Sequence, residues 1–323
     1  MDEQGFRTIL VNRNMPGDRL APALALAARF DAFLMGKPAT AETAWAFSKI
    51  LIDEGSNTEE NYITLLRYCR FIQNHDMYVA FMELVDGGEV SGNLYRKVGK
   101  QFGKQLRQEI FAGIGVTPYG TPTPEKPATL QPVIERLEAK IGLEACADFL
   151  SAGLRSLPTR YFLGERRKYK QAAGIDEYLR QRKEGFVAQL EACLREGRPF
   201  FAQEITQEVI DFVRNDPEMG GGRRAGNIIY ETKIPYMTQK YLAETDPTLR
   251  RYYACHCPWA REAIQNGDVR PAETFCYCSG GFHKKTFEVI FNQPLKVEVL
   301  ESALKGDDRC RFAIHLPSEA RLS

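Results

Sequence analysis

The sequence has almost no net charge, since 43 lysines and arginines are balanced by 42 aspartates and glutamates, which leaves a formal charge of +1 at pH 7. Such a balance provides no overall electrostatic field that would draw the chain to nucleic acid or to an anionic membrane. A local basic run at residues 166–170 has the pattern of a solvated helix face. We therefore expect neither nucleic acid nor a membrane among the partners.

Long hydrophobic runs are also missing. The most apolar stretch, residues 20–35, is interrupted by Arg29 and Asp31, so it is too short and too charged to span a bilayer. The first seven residues show no basic region followed by an apolar core, which predicts that there is no secretory signal. These features favour a cytoplasmic protein, in which cysteines stay reduced and serve metal binding or catalysis rather than disulfides.

Histidine is scarce, and the few chemically active side chains are unevenly distributed. Five of the eight cysteines and three of the four histidines lie between residues 252 and 317. The remaining cysteines, Cys69, Cys146 and Cys193, stand alone in helical patterns and are expected to be small buried hydrophobes. His75 is expected to cap a helix or lie in a loop. The last third of the chain is therefore the part in which a site is predicted.

The spacing of apolar residues predicts helices through residues 18–115. Five prolines between 117 and 132 should not continue a helix, so they predict an extended linker. Helical patterns resume as far as residue 214. The predicted organisation is a helical domain at 1–116, a proline-rich linker at 117–132, a helical segment at 133–215 that packs on the C-terminal domain, and an α+β ligand-binding domain at 216–323.

After Gly226 the pattern changes to short β-branched and aromatic segments. Strands are predicted at 227–232, 252–257, 275–278, 295–304 and 310–316. Helices are predicted at 236–244, 259–265 and 282–291. In the last strand apolar and polar residues alternate, which is typical of a half-buried antiparallel hairpin. The predicted fold class is α+β, with a helical N-terminal half and a C-terminal antiparallel sheet packed with helices.

Two Cys-x-Cys pairs stand out, Cys255 with Cys257 and Cys276 with Cys278. Side chains two apart on a strand share a face, so four thiols converge if the two predicted strands are neighbours. Thiolates suit zinc, copper(I) or an iron–sulfur cluster, and zinc is the cofactor we expect if a metal is bound. A reactive thiolate without metal and buried core cysteines are the alternatives. Cys310 is interpreted as a core residue.

His283 follows two glycines at the predicted start of a helix and precedes Lys284 and Lys285. Free backbone N–H groups beside two lysines would bind an anion such as a substrate carboxylate, although an ordinary solvated helix start has the same pattern. Aromatic residues crowd the same region and predict either the walls of a small-molecule pocket or the core of the domain. The aromatic candidates for ligand binding are Tyr230, Tyr236, Tyr253, Trp259 and Tyr277.

The order of these features resembles the 4-vinyl reductase (hydrocarbon-binding) domain, most clearly in the Gly-Asp-x-x-Cys-x-Phe motif that runs from Gly306 through Cys310 to Phe312. It is also similar to the L-2-amino-thiazoline-4-carboxylic acid hydrolase family, within a group of largely uncharacterised prokaryotic proteins. The resemblance covers about the last third of the chain. It implies an α+β domain that binds a small, often aromatic or apolar ligand. The paired Cys-x-Cys arrangement is richer in sulfur than the usual pattern.

Two functions are compatible with these features. The first is a small-molecule-binding protein whose Cys-rich C-terminal domain holds an organic ligand and, in one interpretation, a thiolate-ligated metal. The second is a cysteine- or metal-dependent hydrolase that attacks a C=N or C–N bond of a small cyclic substrate. In that case Cys276 or Cys278 is the nucleophile or ligand, His283 is the acid/base, and Lys284 or Lys285 holds a carboxylate. Whether the chain is an enzyme, and its oligomeric state, stay open at this point.

Overall fold

The computed structural model describes residues 1–155, 157–267 and 269–317. The chain divides into two compact units. One comprises residues 1–91 and 116–126, and the other comprises residues 92–115 together with the chain from residue 127 onward. The predicted α+β class is confirmed, because the first unit is helical and the second contains a four-stranded antiparallel sheet surrounded by helices. None of the described helices is long and apolar enough to cross a membrane.

Five helices enclose the core of the first unit. They are α1 (Glu3–Asn12), α2 (Gly17–Leu34), α3 (Ala41–Asp53), α4 (Glu59–Phe71) and α5 (His75–Val85). Side chains cap two of these helices, since Thr58 accepts a hydrogen bond from the backbone of Asn61, and Asn74 accepts one from the backbone of Met77. His75 accordingly lies at a helix start. Rings from four helices pack edge to face at the centre of the core, for example Phe30 against Phe81 at 5.2 Å.

Seven more α-helices lie between α5 and the first strand in the order of the chain. They are α6 (Val90–Phe102), α7 (Lys104–Ile110), α8 (Lys126–Ile141), α9 (Leu143–Ser151), α10 (Leu163–Gln171), α11 (Ile175–Arg195) and α12 (Gln207–Asn215). Gly103 has a φ of 92°, which ends α6 and separates it from α7. Thr206 accepts a hydrogen bond from the backbone of Val209 and so marks the start of α12.

The proline-rich segment is not an extended linker, so that prediction is wrong. Residues 116–126 belong to the first unit, where Ser48 and Asn57 donate hydrogen bonds of 2.6 and 2.9 Å to the carbonyls of Gly120 and Tyr119. Residues 126–132 open α8. Pro127 occupies the first turn of this helix, where a missing N–H costs nothing, and Pro132 lies inside it. Proline density therefore marks a packed loop and a helix start.

The sheet has the order β1-β2-β4-β3 and is antiparallel throughout. Its strands are β1 (Arg223–Ala225), β2 (Ile228–Thr232), β3 (Val297–Glu301) and β4 (Arg311–His315). In the central pair Ile229 lies opposite Ile314 and Glu231 lies opposite Phe312. The predicted strands at 227–232, 295–304 and 310–316 thus form, although β3 is shorter than expected. β1 begins directly after the three glycines at 220–222.

The two predicted cysteine-bearing strands do not form. Residues 252–254 end α14 (Pro247–Ala254), which follows α13 (Thr238–Ala243). The carboxylate of Asp246 caps α14, and Pro247 occupies its first position, so an Asp-Pro start signal prevails over the aromatic β-like composition that follows it. An irregular segment at 255–260 then leads to α15 (Arg261–Asn266).

Residues 275–278 are helical as well. A 3-10 turn at Glu273–Cys276 continues directly into α16 (Tyr277–Phe291). Gly280 and Gly281, which were expected to end a strand, lie inside this helix. A Cβ added at Gly281 would meet the Ser151 carbonyl oxygen at 2.4 Å, so the glycine allows α9 to pack closely against α16. A Cβ added at Gly280 would meet Val297 of β3 at 3.2 Å, so α16 also packs closely on the sheet.

Candidate functional site

One face of α16 carries three reactive side chains towards the sheet. Cys276, Ser279 and His283 are spaced three and four residues apart, which places them on one side of the helix. Lys233 approaches this face from the end of β2, and its Nζ donates a hydrogen bond of 3.2 Å to Ser279 Oγ. Lys233, Ser279 and His283 are all half-buried. We call these three residues the Lys233 site.

A buried ion pair between Arg182 and Glu231 holds the ring of His283. Arg182 of α11 donates to one carboxylate oxygen of Glu231, and His283 Nδ1 donates to the other oxygen at 2.7 Å. Glu231 is 4% exposed. The His283 ring stacks on Phe312 with a centroid distance of 4.6 Å and an interplanar angle of 27°. Both the orientation of the imidazole and its tautomer are therefore fixed by the protein.

Burial and neighbouring charges determine the protonation states of Glu231 and His283. Burial by itself raises the pKa of Glu231, but the charge of Arg182 and the hydrogen bonds from Arg182 and His283 outweigh it and lower the pKa to about 2. Burial lowers the pKa of His283 below its ordinary value, although Glu231 opposes that shift. A neutral His283 that donates through Nδ1 has a lone pair on Nε2. Within the described part of the chain Nε2 has no hydrogen-bond partner, so it is available to accept a proton.

A group of four thiols lies at the other end of the same helix face. Cys255, Cys257 and Cys310 pack with Ala303 in one apolar cluster. Cys276 interacts electrostatically with all three of these thiols. We call these four cysteines the thiol cluster. The cluster therefore contains Cys310, which was interpreted as a core residue. It does not contain Cys278, which was predicted to be the fourth thiol.

Cys278 points elsewhere for a geometric reason. Two residues on a helix are separated by about 200° of rotation, so Cys276 and Cys278 face nearly opposite sides of α16. Cys278 is buried and interacts electrostatically with Lys97. The convergence predicted for two pairs on strands is lost because neither pair is on a strand. Among the described residues, no three histidine, cysteine, aspartate or glutamate side chains are placed to hold a metal ion.

Three thiols of the cluster have raised pKa values. Burial raises the pKa values of Cys255, Cys276 and Cys310 above the ordinary value of a thiol, and in Cys255 and Cys276 the neighbouring thiols add to that rise. An activated nucleophilic cysteine has a lowered pKa. The arrangement is therefore unlike that of a resting catalytic thiolate.

The aromatic candidates occupy different surroundings. Tyr236 contacts the guanidinium of Arg261 at 4.5 Å and the ring of His256 at 5.2 Å, and His256 Nε2 is 2.6 Å from the Ile234 carbonyl oxygen. Burial, followed by the charge of Lys233, lowers the pKa of His256 well below its usual range. The remaining candidates are Tyr230, which contacts Arg223 and Arg311, the fully buried Trp259, and the half-buried Tyr253 and Tyr277.

Lys284 and Lys285 do not stand at a helix start, because α16 begins seven residues before the first of them. Lys284 Nζ donates to the Leu295 carbonyl at 2.6 Å and pairs with Glu288 at 3.2 Å. Both lysines line a groove of about 580 Å³ on the side of α16 that packs on α9. The predicted anion site at free backbone N–H groups is therefore not formed, although the lysines do border a cavity.

A family model described as "Family of unknown function (DUF6144)" matches residues 238–321. This region contains both Cys-x-Cys pairs, His283 and the Gly-Asp-x-x-Cys-x-Phe motif. No curated protein and no solved structure matches the chain.

Sequence reasoning missed Arg182, Glu231, Lys233 and Ser279. One signal for Glu231 was present. In the predicted strand 227–232 it falls on the same face as Ile229, and a carboxylate on the apolar face of a strand needs a buried partner. Arg182 gave no such signal, because it belongs to a charged helix surface and is 49 residues away in the sequence.

Proposed function

We propose that the Lys233 site binds a small organic molecule that carries an acidic or hydrogen-bond-accepting group. The observation that carries this proposal is the buried Arg182–Glu231–His283 chain, which ends on a half-buried imidazole beside Lys233. Burying a charged network costs free energy, and such networks with shifted pKa values concentrate at functional sites. Lys233 would contact the acidic group, and the Ser279 hydroxyl and His283 Nε2 would hydrogen-bond the ligand.

The test is a binding titration with small organic acids, including benzoate and 2-amino-thiazoline-4-carboxylate. Lys233→Met should weaken binding roughly 10- to 100-fold, which corresponds to the loss of a charged hydrogen bond of about 1.5–3 kcal/mol. Lys296→Met is the matched control, because Lys296 is exposed and has only a distant pair with Glu298 at 3.9 Å. Absence of binding by every acid, or equal losses in the two variants, would contradict the proposal.

A second candidate function, hydrolysis of a C=N bond, is favoured by the orientation of His283. Water would add to the C=N carbon while its proton passes to His283 Nε2, and the π electrons would move to nitrogen, which then takes that proton. In the tetrahedral adduct the remaining O–H proton would then pass to the nitrogen, the C–N bond would break, and a carbonyl and an amine would be released. The buried Glu231 would stabilise the imidazolium that forms transiently. The raised thiol pKa values support water rather than Cys276 as the attacking group.

The two functions are separated by turnover of a cyclic amidine or thiazoline. For a hydrolase, His283→Asn should abolish turnover, whereas Lys233→Met should weaken substrate binding. For a binding protein, the ligand binds and wild-type protein gives no product. Turnover that survives in His283→Asn but is lost in Cys276→Ser would reject the imidazole mechanism.

A further inference from the structure

A cleft of about 290 Å³ lies in the first unit, outside the part of the chain in which the sequence predicted a site. Helices α1, α4 and α5 contribute its walls, and α1 packs on α4 through Phe6 and Tyr68, whose ring centroids are 5.2 Å apart. Five of the eight lining residues are apolar or aromatic, and the other three are Arg13, Arg67 and Arg70. We call it the arginine cleft.

Helical spacing brings the arginines to the cleft. Ile63, Arg67 and Arg70 are four and three residues apart in α4, so they lie on one side of that helix. Ile9 and Arg13 are four residues apart at the end of α1. Each of the two helices therefore supplies both apolar surface and positive charge to the same cleft.

The arginines of the first unit fall into two groups of three. Arg7, Arg19 and Arg29 each pair with a glutamate, at 2.9, 2.5 and 2.6 Å. The other three arginines of the unit all line the cleft, and none of them pairs with a carboxylate in the part of the chain that the structure describes. No aspartate or glutamate is among the lining residues described. Three positive charges thus share one cleft in a chain whose formal net charge is +1.

Tyr78 fixes one of the three guanidiniums. Arg70 Nη2 donates a hydrogen bond of 2.6 Å to Tyr78 Oη, and the guanidinium carbon lies 4.4 Å from the centroid of the same ring. Tyr78 is buried, so its position is fixed by the core. A guanidinium has five N–H donors, and the contact with Tyr78 uses one of them. Because Arg70 is held in place beforehand, it loses less conformational entropy when it binds an anion.

Helix dipoles account for only part of this group. Arg70 lies in the last turn of α4 and Arg13 caps α1, and a cation at either position complements a helix dipole. Arg67 lies more than one turn before the end of α4, beyond the reach of that effect. Its guanidinium is on a half-buried residue and has neither an ion pair nor a hydrogen bond within the described ranges. An anionic ligand would offset the free energy that this partial burial costs.

We propose that the arginine cleft binds a phosphate monoester with a small apolar body. Such a phosphate carries a charge of about −1.5 to −2 at pH 7 and three acceptor oxygens. Guanidiniums recognise phosphate through paired N–H···O bonds, and three of them match its charge better than that of a single carboxylate.

The size and walls of the cleft define the rest of the ligand. Ligand pockets have volumes of about 300–1,000 Å³, so a cleft of 290 Å³ suits a small molecule. The apolar and aromatic lining residues would contact its body. The site is additional to the Lys233 site, with which it shares no residue, and it would give the first unit a binding function of its own.

The experiment is an isothermal titration of the full-length protein with phenyl phosphate in phosphate-free buffer of low ionic strength. Wild-type protein should bind it saturably, and Arg67→Gln should weaken binding roughly 10- to 100-fold, as expected for the loss of a charged hydrogen bond. The Tm of Arg67→Gln should match that of the wild type, since no partner of Arg67 is lost. Arg29→Gln, the matched control, removes an arginine of the same unit that already pairs with Glu54, and it should bind as the wild type does.

The Lys233→Met variant separates the two sites. It disables the proposed ligand site, and phenyl phosphate should still bind to it at the arginine cleft. Binding that is lost in Lys233→Met and kept in Arg67→Gln would overturn the proposal, because the anion would then occupy the Lys233 site. Absence of saturable binding by wild-type protein, or equal weakening in Arg67→Gln and Arg29→Gln, would overturn it too. Inorganic phosphate should bind more weakly than phenyl phosphate, and equal affinities would contradict the contact with an apolar body.

Discussion

His283 Nδ1 lies 2.7 Å from a carboxylate oxygen of Glu231, and Arg182 holds the other oxygen of the same buried carboxylate. This relationship couples the stability of the second unit to the chemistry of the Lys233 site. Removing the carboxylate would leave two buried basic groups without their partner. The contact therefore determines how the substitution of Glu231 and a change of pH affect the free energy of unfolding.

The first consequence is a large stability cost for Glu231→Gln. Breaking a buried pair by removing one charge typically costs about 3–5 kcal/mol, since the partner charge stays buried. The exposed pair of Glu125 with Lys49 is the control, and Glu125→Gln should cost less than about 1 kcal/mol. Chemical denaturation gives both values. Equal and small losses in the two variants would mean that Glu231 and Arg182 are well solvated.

The pH dependence of stability has a definite sign. Glu231 and His283 both have folded-state pKa values below their ordinary values, about 2 for Glu231 and lowered from 6.5 for His283. The unfolded chain therefore binds more protons than the folded chain as the pH falls. The stability contributed by His283 is lost below about pH 6.5, and that contributed by Glu231 is lost from about pH 5 downward.

Measurement of the free energy of unfolding at a series of pH values between 8 and 4 tests this sign. The values should decrease towards acid in the wild type, because both groups have lowered pKa values in the folded state. A wild-type curve that is flat across this window, or that rises towards acid, would show that the two groups are not protonated as the structure requires.

Two glycine-to-alanine substitutions should change the stability of the protein in opposite directions. Gly281→Ala places a Cβ 2.4 Å from the Ser151 carbonyl oxygen, and overpacking of this kind costs about 1–3 kcal/mol. Gly185→Ala lies in the exposed middle of α11, where an added Cβ meets nothing within 4 Å, so it should stabilise by about 0.5–1 kcal/mol. Thermal unfolding compares the two. A neutral Gly281→Ala would show that the helices are farther apart.

Proteolysis tests the placement of the proline-rich segment. Tyr119 is hydrogen-bonded through its carbonyl to Asn57 and packs on Tyr62 at 5.5 Å, so chymotrypsin should spare it in the native protein. Phe201, 61% exposed in the connection between α11 and α12, is the internal control and should be cut first. Early native cleavage after Tyr119 would restore the linker interpretation.

Much of the fold was predictable from local patterns. The α+β class, the first-unit helices and the strands at 227–232 and 310–316 came from apolar spacing and start signals that the structure retains. The aromatic segments around Cys255 and Cys276 were misread as strands. Their β-like composition is overridden by the Asp246–Pro247 helix start and by glycines that serve helix packing rather than turns.

The site was less predictable, because its key contacts are long-range. His283 was found through its neighbours in the sequence, but Glu231 and Arg182 approach it from residues 52 and more positions away. The thiol cluster contains Cys310 rather than the predicted Cys278 because residues 276–278 are helical. Periodicity of two and periodicity of 3.6 assign opposite directions to the same side chain.

The central claim is that Glu231 holds His283 as a neutral imidazole with Nε2 free to accept a proton. Long-range ¹H–¹⁵N NMR of the histidine rings tests it most directly, with His283→Asn used to assign the signal. The account predicts an Nδ1–H tautomer for His283 at pH 7 that becomes less uniform in Glu231→Gln. An imidazolium at pH 7, or a proton on Nε2 with Nδ1 bare, would contradict it.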